Sequence, residues 1–274
     1  MSEEIIGSAF KVYRGSRKHI LDLLDSGRLF QILNDLFADT DIQFKDDEKC
    51  QPKGREDHEE WTLRKFCKKY YNGQFDYQAF DNWWVPDKYR NPQWDLLTTC
   101  IIKDKAGIML VEAKANEKEL VVDGKKLDAK ASEQTKINHG KIGDCIVEAA
   151  QGLNKHIEYI DISINTHYQL SNRVASAWKL AQCGLSTVLL YLGFTGDEGI
   201  RDAGEPFEDD NHWQRVMGVY MADVLPLNFP NKLIEVEGRA TMQMFIKSLP
   251  VIENSPKVDN AGEERQSTTT SAGQ

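Results

Sequence analysis

The chain of 274 residues carries 34 Lys+Arg against 43 Asp+Glu, a formal charge of −9 at pH 7, with 41% hydrophobic and 28% charged residues. That mixture excludes a disordered chain and a membrane protein, and the length suits one large domain or two small ones of ~100–200 residues. The longest apolar stretch, Leu185 to Phe194, falls short of the ~20 residues that cross a bilayer, and the start Met1-Ser-Glu-Glu-Ile-Ile lacks a secretory signal, so a cytoplasmic protein without a membrane partner is expected.

Five cysteines without a CxxC pair argue against a disulfide framework and a structural zinc site. The acidity is uneven: residues 39–60 and 195–210 contribute −5 and −6, which leaves about +2 elsewhere. A negative total discourages non-specific polyanion binding, yet it permits local basic strips at Arg64, Lys65, Lys68 and Lys69 and among the lysines of 114–141.

Along the chain, Ile20, Leu23, Leu24 and then Leu29, Ile32, Leu33, Leu36 predict two short helices broken at Ser26-Gly27. Asp57-His-Glu-Glu60 resembles a capping box opening a helix over 57–71. The ring-rich stretch 75–94 is read as a lid on the core rather than a base-stacking platform. Residues 94–103 and 107–115 predict a hairpin turning at Asp104-Lys105-Ala106, and 119–127 a second hairpin at Asp123-Gly124. Helices follow over 144–157 and 170–183, the latter capped by Gly184, with a short strand at 159–164 and a fully buried strand at 186–194. Residues 213–249 supply one more helix and one or two strands. From Glu253 the composition reads as a disordered tail.

The chemistry concentrates in Ile108-Met-Leu-Val-Glu-Ala-Lys-Ala-Asn116. Period two puts Glu112 and Lys114 on one strand face and Met109, Val111, Ala113 and Ala115 on the other. A turn centred near residue 105 places Asp95 opposite residues 114–116, one step from Glu112. Asp95, Glu112 and the Ala113 carbonyl are hard oxygen ligands of the kind Mg²⁺ or Mn²⁺ accepts, and Lys114 is placed to act on an attacking water and the charge growing on a phosphoryl group.

Pro92-Gln-Trp-Asp95, sixteen residues, then Glu112-Ala-Lys114, followed by a helix and a buried strand, resembles the PD-(D/E)xK nuclease superfamily with the restriction-endonuclease-like fold. The likeness spans roughly residues 57 to 195. It implies an α/β protein with a mixed central β-sheet flanked by helices: an N-terminal helical region at 1–56, a restriction-endonuclease-like core at 57–250 with a large insertion at 116–168, and a disordered tail at 251–274. It also implies a Mg²⁺ (or Mn²⁺)-dependent nuclease with Asp95, Glu112 and Lys114 catalytic, Asp95, Glu112 and Ala113 holding the metal, and a nucleic acid partner, DNA favoured over RNA. Gln169 and Arg173, on the crossover helix, are candidates for binding substrate phosphate, and Glu59 or Glu60 for holding the metal water. No clear first strand precedes Trp94; residues 83–89 are the nearest candidate, although Pro86 demotes them. Two uses are open for the insertion, substrate recognition or contact with a second copy in a homodimer.

The alternative is a catalytically inactive nucleic-acid-binding or regulatory module on the same fold. A third reading makes the trio structural, with Lys114 pairing Asp95. His58, His139, His156, His167 and His212 form no metal or triad spacing, and neither GxSxG nor GxxxxGK[ST] occurs, so serine hydrolase and P-loop readings have no support.

Overall fold

The computed structural model describes residues 13–89 and 91–251. Two helices open it, α1 (Gly15–Asp25) and α2 (Leu29–Leu36), and Gly27, at φ +68°, supplies the left-handed turn between them. Two short strands, β1 (Ile42–Gln43) and β2 (Cys50–Gln51), precede α3 (Leu63–Tyr70) and α4 (Tyr77–Trp83). The hairpin β3 (Leu96–Ile102) and β4 (Lys105–Lys114) follows, then α5 (Glu133–Asn154), α6 (Tyr168–Gln182), β5 (Ser186–Thr195), α7 (Asp210–Met221), β6 (Ile234–Val236) and β7 (Ala240–Pro250).

The strands form one mixed sheet in the order β1-β3-β4-β5-β7-β6, with β2 also on β3. β4, β5 and β7 run parallel, so each next strand is reached by a crossover, and the β4 to β5 crossover carries α5 and α6. Strand alternation divides the core in two. Met109, Val111, Ala113, Val188, Leu190 and Leu192 face α1 and α2, while Ile108, Leu110, Leu189 and Tyr191 face α6 and the remaining helices. Continuous apolar β5 has both faces covered, as its composition predicts.

Several expectations are corrected. The hairpin turns at Lys103 and Asp104, both with positive φ (48° and 62°), and pairs Leu96 with Val111 and Ile102 with Lys105, a register shifted toward the N-terminus from the expected one. Helix α3 starts at Leu63, because Thr62, not Asp57, accepts the free Lys65 amide at 3.3 Å. Asp123-Gly124 makes no hairpin: Lys125 N–H donates to the Ile164 carbonyl and His167 N–H to that of Val122, so this segment runs beside 164–167. A Cβ on Gly124 would lie 2.2 Å from the Asn165 carbonyl, which explains the glycine by close backbone approach. Residues 159–164 form no strand, since the Ile160 and Asp161 amides are taken by the Asn154 side chain and the Val224 carbonyl. Residues 83–89 finish α4 and turn; the strands beside β3 are β1 and β2, from the segment expected to be helical. Helix α5 begins eleven residues earlier than expected, at Glu133, capped by Ser132. The predicted tail from Glu253 lies outside the described residues. Among the described residues no helix is long and apolar enough to cross a membrane.

Candidate functional site

The carboxyl end of β4 carries Glu112 and Lys114 on the face turned to α6, and both are buried, at 2% and 5% exposure. A carboxylate so enclosed requires partners, and Glu112 has three. Lys114 Nζ and Gln169 Nε2 donate to Oε1, each at 2.6 Å, and Arg173 Nε donates to Oε2 at 2.6 Å. Gln169 and Arg173 project from one side of α6, one turn apart, which brings both onto the strand end.

Arg173 is itself enclosed. Nη2 donates to the Gln93 carbonyl at 2.7 Å, Nη1 to Asn172 Oδ1 at 3.2 Å, and the guanidinium carbon lies 4.2 Å from the centre of the Trp94 ring. It therefore ties α6 to the entry of β3 as well as to Glu112. Continuing the hairpin register beyond Leu96 and Val111 sets Asp95 beside Glu112 across the ladder. There the part-buried Asp95 accepts the Ala113 amide through Oδ2 at 2.7 Å.

These contacts separate the two acids. Burial alone would raise the Glu112 pKa, but Arg173 and Lys114 outweigh it and hold the carboxyl below the usual carboxylate value. Asp95 is pushed up to about 7, by burial first and the Glu112 charge second, against the opposing pull of Lys114, the Ala113 amide and Arg173. Tyr191, opposite Glu112 on β5, is fully buried, and its hydroxyl has no hydrogen-bond partner among the described residues. Burial drives its pKa well above the ordinary tyrosine value. Tyr191 was missed from sequence because it sits inside a continuous apolar run.

A cleft of about 680 Å³ opens over this strand end, lined by Lys114, Gln169, Arg173, Tyr168, Lys125 and Glu119, with Ser16 and Pro92 on its rim. Of Asp95, Glu112 and Lys114, Lys114 alone lines the cleft, while Glu112 lies behind it under the side chains that bind it. The suggested structural pair is corrected, because Lys114 pairs with Glu112 rather than with Asp95. Glu59 and Glu60 lie before α3, not on it, with Glu59 on Lys65 and Glu60 on Arg17.

Among the described residues no cluster of three or more His, Cys, Asp or Glu side chains is placed to hold a metal ion. What the strand end offers is oxygen alone: Asp95, Glu112 and the Ala113 carbonyl. That donor chemistry suits a hard dication rather than zinc, although both Glu112 oxygens are engaged by Lys114, Gln169 and Arg173, and a cation beside Asp95 would offset the Glu112 charge that, after burial, raises its pKa.

A second charged cluster escaped the sequence reading. His19, buried on α1, lies 2.5 Å through Nε2 from Asp197 Oδ2 in the turn after β5 and 3.9 Å through Nδ1 from Asp22, which also pairs with Arg55 and Lys18. It clamps α1 to the sheet. No family model matches the chain, and no curated protein or solved structure matches it.

Proposed function

We propose that the protein is a metal-dependent phosphodiesterase, a nuclease of the PD-(D/E)xK kind on a restriction-endonuclease-like core. The observation that supports this most is the meeting of Asp95, Glu112 and Lys114 at the open end of one hairpin, beneath a cleft walled by α6. Asp95, Glu112 and the Ala113 carbonyl would hold Mg²⁺ or Mn²⁺, which when bound supplies a water of lowered pKa and neutralises phosphoryl charge. Lys114, at the cleft wall, orients the attacking water and stabilises the developing negative charge. Arg173 and Gln169 keep Glu112 ionised and aimed, so their part is positioning. The first turn of α6 favours an anion at its end of the cleft, where Lys125 stands in a lining that also holds Glu119 and Asp123.

A second reading, a nucleic-acid-binding module without turnover, is favoured by one observation: both Glu112 oxygens are already engaged by Lys114, Gln169 and Arg173. Incubation of the full chain with mixed DNA and RNA in Mg²⁺ or Mn²⁺ separates the two. Cleavage by the wild type that disappears in Glu112→Gln supports the nuclease, whereas binding without cleavage in either ion supports the module.

A further inference from the structure

The basic strip on α3 has no part in the site just described, and its geometry sets it apart from scattered surface lysines. Lys65, Lys68 and Lys69 are exposed and, with Trp61 and Thr62, line a groove of about 490 Å³. The Lys65 and Lys69 ammonium groups stand 4.2 and 5.1 Å from the centre of the Trp61 ring, which holds two cations over one aromatic plate. Lys65 also pairs with Glu59 at 2.8 Å, and Asp87 sits on the groove edge beside Arg64. No ion pair among the described residues involves Lys68 or Lys69. Their place in the last turn of α3 matches the helix dipole, but the dipole does not account for Lys65 in the first turn or for the Trp61 plate.

The groove is joined to the cleft. Trp94 N–H donates to the Trp61 carbonyl at 3.3 Å, and Thr62 bridges Gln93, whose carbonyl takes Arg173. Asn91 and Pro92 line the cleft on one side and, with Thr62 and Arg64, a small hollow against α3 on the other; Thr62 and Arg64 also edge the lysine groove. Thr62, Arg64, Asn91 and Pro92 thus lie between the cleft and the lysine groove.

We infer that the α3 groove is a docking surface for the phosphodiester backbone of a polynucleotide longer than the cleft, which passes over Asn91 and Pro92 and lies along Lys65, Lys68 and Lys69. This rests on the proposed nucleic acid substrate. The contacts are to phosphate, so affinity gained there is indifferent to base sequence and falls with salt.

The test measures binding of the full chain in EDTA by fluorescence anisotropy, with a labelled DNA duplex of about 30 base pairs and an RNA strand of similar length, so that the two arms tell which backbone is preferred. Lys68→Gln/Lys69→Gln, both exposed, is compared with Lys155→Gln/Lys232→Gln, an equal loss of charge elsewhere. The α3 variant is expected to bind the preferred probe at least about fivefold more weakly and to flatten the log K against log salt slope by roughly 1.5, about 0.7–0.9 per lost phosphate contact. Equal affinity and slope in the α3 variant and the wild type overturn the inference, as does a wild type that binds neither probe. Cleavage of an oligomer of about four nucleotides in Mg²⁺, short enough for the cleft alone, reports on the nuclease reading separately. Lysine-dependent binding without that cleavage keeps the surface and removes the nuclease; cleavage without lysine dependence does the reverse.

Discussion

A carboxylate as buried as Glu112 would ordinarily take up a proton, and it stays ionised because two cations and an amide enclose it. Removing the guanidinium leaves the charge with Lys114 and Gln169 alone. Arg173→Met is therefore expected to lower stability by about 3–5 kcal/mol, measured by urea unfolding, the usual cost of breaking a buried ion pair from one side. Asp95 acts with the opposite sign. Its folded pKa of about 7 lies above the ordinary 3.8, so between these values the unfolded chain has lost a proton that the folded chain keeps. Stability then falls as pH rises through that window, at up to about 1.4 kcal/mol per unit. Asp95→Asn removes this titration and keeps an acceptor for the Ala113 amide. In metal-free buffer the variant is expected to melt above the wild type at pH 8 and level with it near pH 4. At this scale the sequence was informative for Glu112, Lys114 and Arg173, whose spacing follows strand and helix periods. It was silent on His19, whose partner Asp197 lies 178 positions away.

The hairpin shows why elements were more legible than their registers. Residues 108–115 alternate cleanly because each strand face meets a different helical layer. The turn carries no Gly or Asn, so its centre was misplaced, while the true turn puts Lys103 and Asp104 in the left-handed region. Asn and Gly are preferred there, and Lys103→Asn/Asp104→Gly is expected to raise stability by about 1 kcal/mol in urea unfolding without altering β3–β4 pairing. Asp123-Gly124 misled in the other direction, since that glycine answers to the Asn165 backbone rather than to a turn. The packing of α5 on α6 gives another case. Gly→Ala within a helix usually gains about 1 kcal/mol. At Gly152 the added Cβ would stand 2.3 Å from Trp178 Cζ2, an aromatic atom in the core. Overpacking costs ~1–3 kcal/mol, so Gly152→Ala is expected to destabilise, with a lower urea midpoint as the readout.

Across the whole molecule, a mixed sheet with helices on both faces leaves its polar chemistry to strand ends, where side chains pass from core to cleft. The carboxyl end of β4, the strand that joins the antiparallel hairpin to the parallel trio, is such a place, and α6 closes it from one side. The two-layered core was legible from strand periods; the joining of β1 and β2 to the sheet was not, because two-residue strands carry no periodic pattern. Uneven charge matters at this scale too, since an acidic chain can present cations only locally, and it does so on α3. Lys114 is where fold and chemistry part. With Arg173 still bound to Glu112, Lys114→Met keeps the stem and one of the two countercharges. Single-turnover cleavage of a nucleic acid by this variant, read beside its thermal melt, should show a rate at least about a hundredfold lower with the fold retained. A variant that cleaves at the wild-type rate, whatever its melting temperature, would contradict a catalytic role for this strand end.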